Sequence, residues 1–339
     1  MFEPIKRKIK DSALGISVLE HFYYRKAIER FKVFYINPVS KRKSYNKRLD
    51  NQAFIYIISR LSDDSAGLCD RLNSMVNMYE STLQLDVNYK IAHLYPFDIY
   101  NYLRPNEVDW RIREDQIIYD RRLVQVNDVL MQSYLYHWLA KKALNVARKK
   151  GKLQVHIYGN PCHIVLEPEK FSKLFHELFK PCDELQKLID WNKSQIGGEY
   201  ISATTRFQNL LGDFYEGEKY KTLETEEEKQ DYIARCIAQI EEIHKKHPDK
   251  KILVTSDSMR FLNEAKLLPY VYVNPGKLVH LAYTENSDYD LHMKSFVDLY
   301  TIADAQKVYF LNTGKMLRKS SFAQTAAMIN QREYEMVEF

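Results

Sequence analysis

The stretch GGEYISATTRFQNLLGDF, residues 197–214, decides how the chain is read. A glycine pair punctuates the chain. EYISATT, 199–205, then has the composition of a strand, and it ends on Arg206. Downstream the same unit recurs. KILVTS (251–256) is a strand, followed by a helix over Ser258–Lys266. YVYV (270–273) and VHLAY (279–283) are strand-like, Leu291–Ala305 is helical, KVYFLN (307–312) is a strand, and Ser321–Asn330 is helical. A long charged helix spans Thr225–Lys246. Strands alternating with helices predict a parallel sheet built by right-handed crossovers.

Upstream of Gly197 the alternation runs once before. FIYIIS (54–59) is apolar almost throughout, as a doubly covered strand must be. A helix from Leu68 to Leu85 comes next, then YKIAHL (89–94) and a short helix near Phe97–Leu103. Residues 129–149 read as an amphipathic helix that closes on ARKKG, basic in its last turn with glycine behind it. LQVHIYG (153–159) is another strand, and helices over Glu167–Phe179 and Asp183–Ser194 are separated by Pro181. The pattern predicts an α/β chain of two Rossmann-like domains, 53–196 and 197–339. Residues 1–52 are expected to form a basic, partly helical arm.

Charge supports that division. Of 50 Lys and Arg and 45 Asp and Glu, residues 1–50 hold 13 and 5, leaving 37 and 40 for the rest. The body is therefore near neutral, which argues against nucleic acid as the main partner, because tracking phosphates takes a broad basic face. The arm suits an acidic surface such as anionic lipid, or else packs on the body as a solvated helix. With 45% apolar and 28% charged residues the chain can bury a sizeable core. The 25 Tyr and 16 Phe fill cores and also line sugar or base pockets.

Cys69, Cys162, Cys182 and Cys236 form no C-x-x-C pair, so free thiols in a reducing compartment are expected. The first residues lack a long apolar segment and a cleavage site, and no run spans a bilayer, which predicts a cytoplasmic protein. There is no H-E-x-x-H, G-x-S-x-G, Walker loop or G-x-G-x-x-G, so zinc, hydrolase and dinucleotide readings lack support.

Ligands of parallel sheets bind beyond the carboxyl ends of the strands, so the residues just after each strand matter most. After FIYIIS come Gly67, Asp70, Arg71 and Asn73, at a strand-to-helix turn where glycine lets a ligand approach the helix amides. After EYISATT comes Arg206, a bidentate cation suited to a pyrophosphate, or to a salt bridge with Asp213. Ser256, Asp257 and Ser258 close or succeed KILVTS, and Asp257 either accepts from a ribose or base edge or caps the next helix. After KVYFLN, Arg318 and Lys319 precede Ser320, Ser321 and Phe322 at a helix start. Basic side chains there oppose the helix dipole, and a bound phosphate relieves that conflict; the bland alternative is an N-cap with basic neighbours.

The order GLCDRL, PNEVDW, strand-end Arg206, VTSDS and SSF resembles the fucosyltransferase-like GT-B glycosyltransferases, over residues 53–339. They include the α1,6- and protein O-fucosyltransferases, and bacterial surface-polysaccharide enzymes are more similar still. The resemblance implies two Rossmann-like domains with parallel sheets facing across a cleft, the first for the acceptor and the second for GDP-fucose. It implies that Arg206 contacts the donor phosphates, that Asp257 lies by the nucleotide, and that Ser320–Phe322 touch the diphosphate. It implies inversion without a metal ion or other cofactor. Two positions depart from the family: Thr204 stands where His is frequent, and Cys69-Asp70 where Gly-Asn is commoner.

The expectation is direct displacement at the anomeric carbon, with Arg206, Arg318 and the Ser320/Ser321 groups stabilising GDP, and Asp70 or Asp213 as candidate base. The acceptor would be a glycan or lipid-linked glycan, with the enzyme peripheral on the inner membrane through residues 1–50. The alternatives are a different nucleotide sugar on the same fold and a non-catalytic, basic-armed α/β binding module.

Overall fold

The computed structural model describes residues 52–58, 67–120, 122–129, 136–159, 161–162, 166–218, 220–278 and 288–339. The basic arm up to residue 51 and the strand expected at VHLAY lie outside the described residues. Chain contacts define two compact units. Of the described residues, the first comprises those within 52–58, 71–95 and 108–162, and the second those within 67–70, 96–107 and 166–339.

The first unit is built on β1 (Ala53–Ile58), β2 (Asn88–His93), β4 (Val124–Val129) and β5 (Gln154–Gly159). They form a parallel sheet in the order β2-β1-β5-β4. Every residue of β1 is buried, as its unbroken apolar sequence requires. Ile55, Ile57, Ala92, Val124 and Tyr158 pack in its core. Helix α1 (Leu68–Glu80) comes after β1, and α2 (Tyr136–Lys149) joins β4 to β5.

Three sequence expectations need correction here. Of the helix expected over 129–149, the described part is Tyr136–Lys149, and its expected first residue, Val129, belongs to β4. Gln125, Asn127 and Asp128 hid that strand; β4 is an edge strand, where polar residues are tolerated. Helix α1 ends at Glu80, not Leu85, where the Ser81 and Thr82 hydroxyls donate to the Met78 and Tyr79 carbonyls, 2.7 Å each. The short helix near Phe97–Leu103 is a 3₁₀ turn, Ile99–Asn101, running into β3 (Leu103–Pro105). β3 pairs antiparallel with β6 (Phe179–Pro181), between helices α3 (Pro168–Leu178) and α4 (Asp183–Ile196).

The second unit carries β7 (Tyr200–Thr205), α5 (Glu226–Lys246), β8 (Lys251–Thr255), α6 (Met259–Ala265) and β9 (Val271–Tyr272). It continues with α7 (Tyr289–Asp304), β10 (Lys307–Asn312), α8 (Ser321–Ile329) and β11 (Glu333–Glu338). The sheet order is β11-β10-β7-β8-β9, all parallel. The chain builds outward from β7 to β8 and β9, then crosses back to β10 on its other side. The carboxyl ends of β7 and β10 thus flank a topological switch point, where α/β sheets bind ligands.

Local chemistry explains the elements. Thr225 and Glu228 make a capping box on α5, whose first turn is acidic and last turn basic. Ile233, Cys236, Ile240 and Ile243 form its buried stripe and pack with Ile201, Ala203, Ile252, Val254 and Leu311 of the sheet. β11 escaped the sequence reading because EYEMVE is half exposed at the sheet edge. Lys307 holds it by pairing with Glu333 and Glu335 at 2.5 and 2.7 Å.

Candidate functional site

Arg206 is the first residue beyond β7, the central strand. Its guanidinium is about one quarter exposed, with Nη2 2.9 Å from Glu216 Oε2 and Nε 3.4 Å from Asp257 Oδ2. It lies 5.1 Å from the centroid of the Phe214 ring. Its carbonyl accepts from the Leu317 amide at 3.2 Å, which anchors the segment after β10 beside the end of β7.

Asp257 holds this corner in shape. It is buried, and its two oxygens accept the Phe207 and Gln208 amides at 2.8 and 2.7 Å. Burial pushes the Asp257 carboxyl up, while the Arg206 guanidinium and the two amides pull against it. Gln208 sits at φ 58°, a left-handed backbone that a non-glycine residue adopts only under constraint. The alternative of Asp257 as cap of α6 is corrected by these bonds. Ser258 is the N-cap, accepting from Phe261 N at 3.2 Å.

Asp213 supports the same helix start: its Oδ2 accepts from Ser258 Oγ at 2.9 Å and from the Arg260 amide at 2.8 Å. The alternative of a salt bridge from Arg206 to Asp213 is corrected: Arg206 pairs with Glu216 and Asp257. Ser256 Oγ accepts from Thr205 Oγ1 at 2.8 Å and from the Ser258 amide at 3.1 Å. Thr204 and Thr255 share a hydrogen bond of 2.8 Å. Asn209 ties down the segment that carries Glu216. Its side chain accepts from the Glu216 amide at 2.7 Å and donates to the Gly217 and Tyr220 carbonyls at 3.0 and 2.9 Å.

On the other side of the switch point, Ser320 is the N-cap residue of α8, but its hydroxyl makes no capping bond. Ser320 is buried and Ser321 exposed. Arg318 and Lys319 are exposed and make no ion pair among the described residues. Gly314 turns the segment at φ 55°, and the Lys315 amide donates to Tyr232 Oη at 2.9 Å. Among the sequence-derived residues, Arg206, Asp213, Ser256, Asp257 and Ser258 thus form one bonded cluster, joined through Leu317 to the segment of Arg318, Ser320, Ser321 and Phe322.

The residues after β1 divide. Gly67 and Asp70 belong to the second unit, where neighbouring Cys69 has its Sγ 3.9 Å from the Phe322 carbonyl. Burial, with the Asp70 charge adding to it, pushes the Cys69 thiol well up, so it stays protonated. Arg71 and Asn73 fall in the first unit; buried Arg71 donates to the Tyr95 carbonyl at 2.9 Å. Gln208 Nε2, Asn274 Oδ1 and Asn312 Oδ1 are buried without a hydrogen-bond partner among the described residues. All three lie at or just beyond the carboxyl ends of strands in the second sheet. Gln208, Asn209 and Glu216 were missed in the sequence, although all lie within ten residues of Arg206.

No protein-family model matches the chain, and a search of curated proteins finds no match. Solved structures do match. NodZ α-1,6-fucosyltransferase soaked with GDP-fucose aligns with a TM-score of 0.51 at 12% identity, covering 84% of this chain and 94% of that one. A mutant of FUT1 from Arabidopsis thaliana, in complex with GDP, aligns with a TM-score of 0.53 at 10% identity, covering 92% and 77%. The fold is that of the GT-B fucosyltransferases. At these identities the likeness carries the GT-B fold, and the chemistry rests on the residues described above. Among the described residues no group of three or more His, Cys, Asp or Glu could hold a metal ion. No described helix is long and apolar enough to cross a membrane.

Proposed function

We propose that the chain is an inverting glycosyltransferase that moves fucose from GDP-fucose to a hydroxyl of a glycan acceptor, in the synthesis of a surface polysaccharide. The observation that carries this is Arg206 at the switch point, braced by Asp257 and bonded through its carbonyl to the segment that opens α8. A forked cation beside a helix N-terminus suits a diphosphate, and both groups act most strongly as the leaving group gains charge.

In the reaction we assign, the acceptor oxygen attacks the anomeric carbon from the face opposite the diphosphate. The bond from that carbon to the β-phosphate oxygen breaks, and its electrons leave with GDP. Arg206, Arg318 and the Ser320 and Ser321 groups neutralise the departing charge in place of a metal ion. The acceptor proton passes to a carboxylate. Asp70 and Asp213 are the candidate carboxylates, and Asp213 has one oxygen bonded at the start of α6. Residues 197–339 would hold the nucleotide and 53–196 the acceptor. The enzyme would work in the cytoplasm at the inner membrane, held by residues 1–50.

A second reading is a different nucleotide sugar on the same site. It is favoured by Thr204, whose hydroxyl bonds to Thr255 and which stands where a His is frequent in the family the sequence resembles. Nucleotide release from GDP-, ADP-, UDP- and dTDP-sugars separates the two. Turnover confined to GDP-fucose is expected; turnover confined to another donor overturns the assignment of fucose. Deleting residues 1–50 should leave nucleotide binding intact, whereas a charge-driven binding module would lose all binding.

A further inference from the structure

We infer that the outer face of helix α2, in the first unit, is a docking surface for an anionic lipid bilayer. The segment from Tyr136 to Lys152 carries six Lys and Arg and no Asp or Glu. Its inner stripe, Leu139, Ala140, Ala143, Leu144 and Ala147, is buried and explains why the helix packs on its sheet. That packing places no demand on the outer stripe.

The outer stripe is Trp138, Lys141, Lys142, Asn145 and Lys149, spaced so that all lie along one side of the helix over about 16 Å. With Val146 these residues line a hollow of about 470 Å³. Trp138 is 46% exposed, and Lys142 Nζ lies 4.4 Å from the centroid of its ring. Leu153, just beyond the helix, is also largely exposed. Among the described residues, two contacts lie at the margins: His137 pairs with Glu80, and Arg148 donates to the Asp86 backbone carbonyl at 2.6 Å. Lys141, Lys142, Lys149 and Lys150 make no ion pair among the described residues.

Charge alone would also attract a nucleic acid. The composition favours a membrane. An exposed Trp among lysines is the make-up of an interfacial helix, the indole seated among headgroups and the lysine stems along the acyl boundary. The lysines would meet lipid phosphates, and the hollow would take a headgroup. The sequence carries a second basic element, with 13 Lys and Arg against 5 Asp and Glu in residues 1–50. Two such elements on one chain bind a surface far more firmly than either alone. This inference does not depend on the identity of the donor.

The test uses the full-length protein and vesicles of phosphatidylcholine with or without phosphatidylglycerol. Flotation should show binding only to the anionic vesicles, weakening as salt rises. The combined Lys141→Gln, Lys142→Gln and Lys149→Gln variant should bind about a hundredfold more weakly, with an unchanged melting temperature. Tryptophan emission should shift to the blue on vesicle binding, and Trp138→Phe should abolish the shift. Equal binding to neutral vesicles, an unaffected triple variant, or tighter binding to single-stranded RNA that displaces the vesicles overturns the proposal.

Discussion

Arg206 Nη2 lies 2.9 Å from Glu216 Oε2, so the guanidinium at the end of the central strand β7 is already engaged by a carboxylate of the same chain. Asp257 engages its other edge, and the three groups together carry a net charge of −1. A diphosphate bound here, as proposed, would compete with the Glu216 carboxylate for the Arg206 guanidinium. Asp257 is buried and fixed by two amides, whereas Glu216 sits on a loop secured mainly by Asn209.

The loop carboxylate is therefore the group to be displaced. Glu216→Ala is expected to bind GDP about threefold to tenfold more tightly than the parent, measured by calorimetry at fixed ionic strength. A clear loss of affinity would instead make Glu216 part of the cradle.

Removing the cation itself should be far more costly. Arg206→Ala is expected to lower kcat for GDP-fucose by about 10²–10³. Arg206→Lys should recover only part of that, because a lysine keeps the charge and loses the fork. Rates equal to the parent in both variants would remove Arg206 from the chemistry.

Gly314 shapes the segment that leads to α8. A Cβ there would stand 2.5 Å from Tyr232 Oη, and φ is 55°. Gly314→Ala should destabilise the fold by about 1–3 kcal/mol in urea denaturation and weaken GDP binding with it. Full stability in the alanine variant would show that the turn is not constrained by Tyr232.

His156 makes stability depend on pH. It is fully buried in β5, its Nε2 2.9 Å from Gln154 Oε1, and burial lowers its pKa from 6.5 to about 3. A histidine depressed in the fold takes its proton more readily when unfolded. Its contribution is intact above pH 6.5 and is lost as pH falls from there towards 3. The loss is about 1.4 kcal/mol per pH unit, or roughly 2 kcal/mol by pH 5. Urea denaturation at pH 7 and pH 5 should show this fall, and His156→Gln should flatten it. An equal slope in the variant would place the acid sensitivity elsewhere.

Much of this fold was legible because apolar runs such as FIYIIS and KVYFLN have few alternatives to doubly covered strands. Among the elements that escaped, β4 and β11 are edge strands whose mixed polar sequences lack the unbroken apolar run of a central strand. Arg206 and Asp257 were legible from their places just after strands. Their bonding was not. Asp213 and Glu216 are both carboxylates within ten residues of Arg206, and only the fold of the loop decides which one meets it. The Asp257 bonds to the Phe207 and Gln208 amides depend on β7 and β8 being neighbours, which sequence spacing does not encode.

The most direct measurement is a crystal structure of the protein with GDP bound. The diphosphate should lie within hydrogen-bonding distance of the Arg206 guanidinium and the first amides of α8, with the Glu216 carboxylate moved away. GDP bound elsewhere on the chain, with the Arg206–Glu216 pair intact, would contradict the proposal.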